Sequence, residues 1–224
     1  SQNAQQEENE RKKLLCNAHT PQHAIQSAAR NHNAPEVFEA FVTMANIISF
    51  ETPCFYYGGF IRDFVYRGET FDDMDLDVGL PYDYSIGSVN DAFDFIRPLA
   101  ESKGFKVNRV NPRGGRVLEV IFGYKQIVFP VEIVDALYFK NIDPRVDFNI
   151  NNLRMHTVAQ KTRAQIMVKN DAQEGAGTLA EMERDCRRKY FRCLKPKNEI
   201  TGRIAKMLNR GWSMYDIPKK KVTS

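Results

Sequence analysis

The sequence predicts an α+β fold, a small mixed β-sheet flanked by helices and followed by a basic C-terminal segment. Three observations predict it. Apolar residues recur at helical spacing in two stretches, 35–49 and 89–103. Apolar and polar residues alternate at 74–78, and three strand-like runs follow between 106 and 139. The order of helix, strand, Gly-Gly turn, helix, strand, helix and meander lacks the repeated strand–helix–strand unit of a doubly wound sheet.

Val37, Phe38, Phe41, Val42, Met44, Ala45 and Ile48 define the first amphipathic helix, and Pro53 closes the approach to a short buried strand at 54–57. Gly58-Gly59 makes a turn, and Ile61–Tyr66 begins a helix that stops near Gly68. Residues 74–78 form a half-buried strand with Asp73, Asp75 and Asp77 on one face and Met74, Leu76 and Val78 on the other. Val89, Phe93, Ile96, Leu99 and Ala100 mark a second amphipathic helix ending near Gly104. Runs 106–110, 117–123 and 126–139 read as strands, with turns at Gly114-Gly115 and Gly123-Tyr124. Residues 149–155 read as helical, and from Thr178 onward the chain reads as helical and basic.

Composition sets outer bounds. The chain has 224 residues and a net charge of +4, but residues 184–224 carry 13 Lys/Arg against 3 Asp/Glu. A basic C-terminal segment beside an acidic region suits an anionic polymer partner, with a solvated charged helix as the bland alternative. No run approaches the ~18 apolar residues that span a bilayer. No signal peptide opens the chain, and Ser1 suggests a processed or cut product. The expected setting is soluble and intracellular, cytoplasmic rather than organellar, with no membrane. Cys16, Cys54, Cys186 and Cys193 lack zinc-ribbon spacing and read as free thiols, and Cys16 with His19, His23 and His32 is a weak zinc pattern. The expected division is a polar, partly flexible and partly helical extension at 1–34, a central unit at 35–156 and a basic segment at 157–224.

The chemistry starts with the aspartates. An acidic strand face repels itself unless a cation is present, so it suggests a divalent metal. Paired carboxylates can hold two metals that clamp the attacking and leaving oxygens of phosphoryl transfer. A third carboxylate on a neighbouring strand completes such a site. Asp135, flanked by Val134 and Ala136, is preferred over Glu132 for that role, since the two point to opposite faces of an ideal strand. The bland reading of either is an edge-strand charge facing water. Gly58 and Gly59 let main-chain N–H groups approach phosphates closely.

Gly58-Gly59-Phe60-Ile61-Arg62-Asp63, then Gly68, then Asp73-Met74-Asp75-Leu76 resembles the head-domain motif of class II tRNA nucleotidyltransferases (the CCA-adding enzymes) and bacterial poly(A) polymerases. The offset from Gly68 matches Asp73/Asp75 rather than Asp75/Asp77 as the metal pair, with one extra residue between Asp63 and Gly68. Arg145-Val146-Asp147-Phe148-Asn149-Ile150-Asn151-Asn152-Leu153 is similar to the family's Arg-Arg-Asp-Phe-Thr-x-Asn-Ala. The resemblance implies that Asp147 and Asn151 contact the ribose or triphosphate. Val146 replaces an arginine that would touch phosphate, and Arg154 is a candidate substitute. Glu199-Ile200-Thr201-Gly202-Arg203 is similar to the family's Glu-Asp-x-x-Arg, whose Asp and Arg read the base edge. Ile200 cannot accept a hydrogen bond from a base, so base choice is relaxed or made differently.

The resemblance implies a nucleotidyltransferase fold of the polymerase-β type, with residues 35–156 as the catalytic head and 157–224 as a neck-like segment. It implies a template-independent transfer of NMP from NTP to an RNA 3′-hydroxyl, in a tRNA CCA-end or other tailing role, with pyrophosphate released. Asp73, Asp75 and Asp135 would hold Mg²⁺ or Mn²⁺. Gly58, Gly59, Arg62, Asp63, Asp147, Asn151, Arg154 and Arg203 would bind the nucleotide. Lys206, Arg210, Lys219, Lys220 and Lys221 would hold RNA phosphates. Transfer to a protein or small molecule, or a relative that binds without catalysis, are the alternatives. The family continues into a tRNA-gripping body and tail, which are expected to be missing or much reduced here.

Overall fold

A computed structural model describes Gln2 and residues 35–69, 74–157, 164–170 and 175–216. Asp73, Lys219, Lys220, Lys221 and the Cys16/His cluster lie outside the described residues. Helix α1 (Pro35–Glu51) buries Phe41, Met44, Ala45 and Ile48 along one stripe, as its periodicity predicts. Thr52 ends it: its hydroxyl donates back to Ile48 O (2.7 Å) and accepts from Cys54 N (3.1 Å), turning the chain into β1 (Phe55–Tyr57). A π-helical turn (Phe60–Val65) follows the glycines, then β2 (Leu76–Gly79) and α2 (Val89–Ser102), which Ser88 caps by accepting from Asp91 N. Strands β3 (Phe105–Pro112), β4 (Val117–Tyr124) and β5 (Ile127–Val134) form the expected meander.

Two stretches of the central unit depart from expectation. Strand β5 stops at Val134 because Asp135 accepts a hydrogen bond from Tyr138 N (3.2 Å) and so caps α3 (Ala136–Ile142). The helical reading of 149–155 fails after one 3₁₀ turn (Asn149–Asn151). The chain then extends as β6 (Leu153–Thr157) and pairs with β7 (Ala164–Val168).

The seven strands run in the order β3-β4-β5-β2-β1-β6-β7, with β2 and β5 parallel and every other neighbouring pair antiparallel. This is an α+β architecture, with a sheet larger than the sequence suggested. Alternation gives the sheet two unlike faces. Val120, Val131, Leu76, Val78, Tyr56 and Met155 are fully buried on the face covered by α1 and α2. Each such aliphatic or aromatic side chain contributes roughly 1.5–3 kcal/mol. The opposite face is polar. Direct cross-strand register sets Asn111, Glu119, Glu132, Asp77, Tyr57 and Arg154 in one row across it.

The basic C-terminal stretch is not uniformly helical. Helices α4 (Leu179–Arg188) and α5 (Thr201–Asn209) flank a parallel pair, β8 (Tyr190–Phe191) and β9 (Ser213–Met214). Asn149 fastens this part to the sheet. Its amide donates to Asp185 (2.8 Å) and accepts from Arg192 N (2.9 Å). No helix among the described residues is long and apolar enough to cross a membrane.

Candidate active site

The polar row opens into two adjoining cavity lobes of about 590 and about 460 Å³. Both are bordered by Tyr57, Gly59, Arg62, Asp77, Glu132 and Arg203. Volumes of this order suit a small-molecule ligand.

The acidic end comes from two adjacent strands. Asp77 and Glu132 are register partners on the parallel pair β2 and β5, and so share a face. Asp75, two residues before Asp77, joins them in the smaller lobe. Burial, and then the charges of Asp75 and Glu132, push the Asp77 carboxyl up to about 8, against the opposing pull of Lys169 and Arg203. Burial and the Asp75 charge raise Glu132 as well, while Arg113 opposes the shift.

Gly58 makes room for this cluster. Its φ is +76°, and a Cβ there would stand 2.4 Å from Asp77 Oδ2.

The structure places Glu132, not the preferred Asp135, beside the aspartates. Asp135 is spent on capping α3 and on an ion pair with Arg116 (2.8 Å). The offset from Gly68 pointed to Asp73 with Asp75. Asp73 is outside the described residues, and the carboxylate set beside Asp75 is Asp77. The alternation that put three aspartates on one face was the signal for it.

Among the described residues, no three His, Cys, Asp or Glu side chains form a ready metal cluster. The donor chemistry nevertheless fits a hard divalent cation. Carboxylate oxygens are its preferred ligands, and such a charge offsets the burial and the mutual repulsion that raise Asp77 and Glu132.

The three motif regions meet in one hydrogen-bonded chain. Arg62 is buried and grips Asp63 with two bonds (2.9 and 2.7 Å). Its Nη1 donates to Asn151 Oδ1 (2.9 Å), and Asn151 donates to Asp147 Oδ1 (3.0 Å). Arg203 donates to the other Asp147 oxygen. So Arg62 and Asp63 hold the floor of the site together, and Asp147, Asn151 and Arg203 stand along it.

Ile200 and Val146 line the larger lobe. Lys206 and Arg210, one and two turns beyond Arg203 on the α5 side, line the smaller lobe. Arg154 stands apart from both lobes. Its guanidinium lies over Tyr82 (5.0 Å) and Phe55 (5.6 Å) and donates to Val168 O. Three lysines of the larger lobe belong to no motif, and one of them, Lys195, is paired with Asp143 (3.4 Å). Lys140 and Lys169 come from α3 and from the end of β7, and no local pattern marks them.

The fold and site thus define an α+β protein with a two-lobed, carboxylate-lined cavity on its polar sheet face. No protein-family model and no curated protein matches the sequence. Among solved structures, the chain is similar to a CCA-adding enzyme in its apo form, at 14% identity and a TM-score of 0.49. The match covers 84% of this chain and 42% of that one, so this chain spans less than half of that structure.

Proposed function

We propose that this protein is a metal-dependent nucleotidyltransferase that adds NMP from an NTP to an RNA 3′-hydroxyl. One observation carries the reading. Residues from three sequence-distant motifs, Arg62 and Asp63, Asn151 and Asp147, and Arg203, form one continuous hydrogen-bonded chain beside the acidic row. A structural role alone does not explain why that chain borders a cavity with self-repelling carboxylates.

In this reading Asp75, Asp77 and Glu132 hold divalent metal, with Asp73 the further candidate ligand. Such an ion, when bound, neutralises the triphosphate and makes the attacking hydroxyl more acidic. The 3′-hydroxyl gives its proton to water as its oxygen bonds to the α-phosphorus and the bond to pyrophosphate breaks. Asp147 and Asn151 orient the sugar, fixed by Arg62 behind them. Main-chain N–H groups at Gly58 and Gly59 meet phosphate oxygens. Lys206 and Arg210, facing the acidic lobe, hold the backbone of the RNA acceptor through charge. Ile200 leaves Arg203 without a carboxylate at the family's base-reading position, so discrimination among bases is weak.

The test incubates the full chain with each labelled NTP, Mg²⁺ or Mn²⁺ and a mixed pool of small RNAs, then reads the 3′ ends. Wild type extends RNA, and Asp75→Asn with Asp77→Asn stops extension while the fold is retained. Full activity in the double variant sinks the assignment.

A further inference from the structure

The larger lobe carries a basic end that no motif contains. Lys140 lies in the last turn of α3, and Lys169 follows β7. Each is held over an aromatic face. Lys169 Nζ is 4.1 Å from the Tyr57 ring centre, and Lys140 Nζ is 5.0 Å from that of Tyr82. Both tyrosines pack on Phe55, with ring centres at 6.0 and 5.1 Å. Phe55 in turn lies across Gly79, where a Cβ would strike its ring at 2.3 Å. The platform is therefore a built feature of β1, β2 and the loop that follows.

Among the described residues, neither lysine forms an ion pair. Burial lowers the Lys169 pKa, the charges of Asp77 and Asp147 oppose that, and the Lys140 charge adds to it. Two like charges held together by the fold favour an anion between them, just as the acidic row favours a cation. Tyr57 is the register partner of Asp77. The strand that carries this ring thus lies one strand spacing, roughly 5 Å, from the strand that carries Asp77, and Lys169 feels the Asp77 charge. A chain of linked phosphates bridges that step.

We propose that Lys140 and Lys169 form the subsite for the outer phosphates of a nucleoside triphosphate, and for the pyrophosphate left after transfer. The proposal rests on the nucleotidyl-transfer reading above. It separates two tasks. The Gly58-Gly59 turn supports the phosphate at the acidic row, and the lysines hold the phosphates beyond it.

Calorimetric titration of the full chain with ATP, AMP and inorganic tripolyphosphate, each with Mg²⁺, tests it. Lys140→Ala and Lys169→Ala each weaken ATP and tripolyphosphate binding roughly tenfold, and leave AMP within about twofold. Lys169→Arg keeps most of the affinity. Should Lys169→Ala unfold, Lys140→Ala on the half-buried helix carries the same expectation. Equal losses for ATP and AMP, no loss for either, or no tripolyphosphate binding by wild type overturns the subsite. Lysine-dependent tripolyphosphate binding without RNA extension upholds the subsite and overturns the transferase reading instead.

Discussion

The two ends of the cavity are built on opposite plans. The acidic end draws Asp75, Asp77 and Glu132 from two paired strands, and two of the three lie within one short alternating run. The basic end draws Lys140 and Lys169 from a helix and a distant strand end, held by aromatic rings rather than by carboxylates. Each end repels itself, and the two meet across Tyr57. Arg113, 3.9 Å from Glu132, offsets part of the acidic end, and burial raises both Asp77 and Glu132, so the fold keeps this two-ended cavity at a cost in stability. A ligand that brings a cation to one end and phosphates to the other offsets both costs.

The largest effect is expected where the two ends are tied together. Arg62 borders both lobes and is buried against Asp63 and Asn151. Arg62→Met leaves Asp63 as an uncompensated buried charge, so the protein should lose about 3–5 kcal/mol of unfolding free energy in denaturant melts. A loss below about 1 kcal/mol would show that the network is not a structural tie.

A smaller contrast sharpens the acidic end. Glu132→Gln should abolish RNA extension with little loss of stability. Asp135→Ala should cost about 1 kcal/mol as a lost helix cap and spare extension. Reversed phenotypes would return the third carboxylate to Asp135.

The smallest effect is a tilt with pH. The folded-state pKa of Asp77 is raised to about 8, above its unfolded value, so the folded protein holds a proton there that the unfolded chain releases. Its contribution to stability is full below about pH 4 and lost as pH rises through about 8. Without added metal, Tm should therefore carry a downward component over that window, and Asp77→Asn should remove it. Saturating Mg²⁺ should flatten the same component. A slope unchanged in Asp77→Asn would mean that other groups set it.

Legibility followed locality. The Gly-Gly turn, the two amphipathic helices and the meander were readable because each is signalled within about a dozen residues. Asp135 leaves its expected strand position for a local reason. An aspartate between apolar residues reads as a strand carboxylate, yet the same residue type is a strong helix cap, and only the hydrogen bond to Tyr138 N decided between them. The third aspartate was visible in the alternation, but the offset from Gly68 favoured its neighbours. The strands at 153–157 and 164–168 escaped because pairing, not intrinsic preference, makes them strands.

The sequence by itself determined the alternating aspartates, the Gly58-Gly59 turn and the residue types of three separate motifs. These are properties of spacing and backbone freedom, which the chain carries before it folds. The tertiary structure decided which carboxylates share a face, that Arg62 ties the first motif to the second, and that Lys140 and Lys169, in no motif, face the same cavity. Those facts depend on strand register and on packing between residues far apart in the chain, such as Arg62 and the Trp212 ring 5.8 Å from its guanidinium. No local pattern encodes such distances.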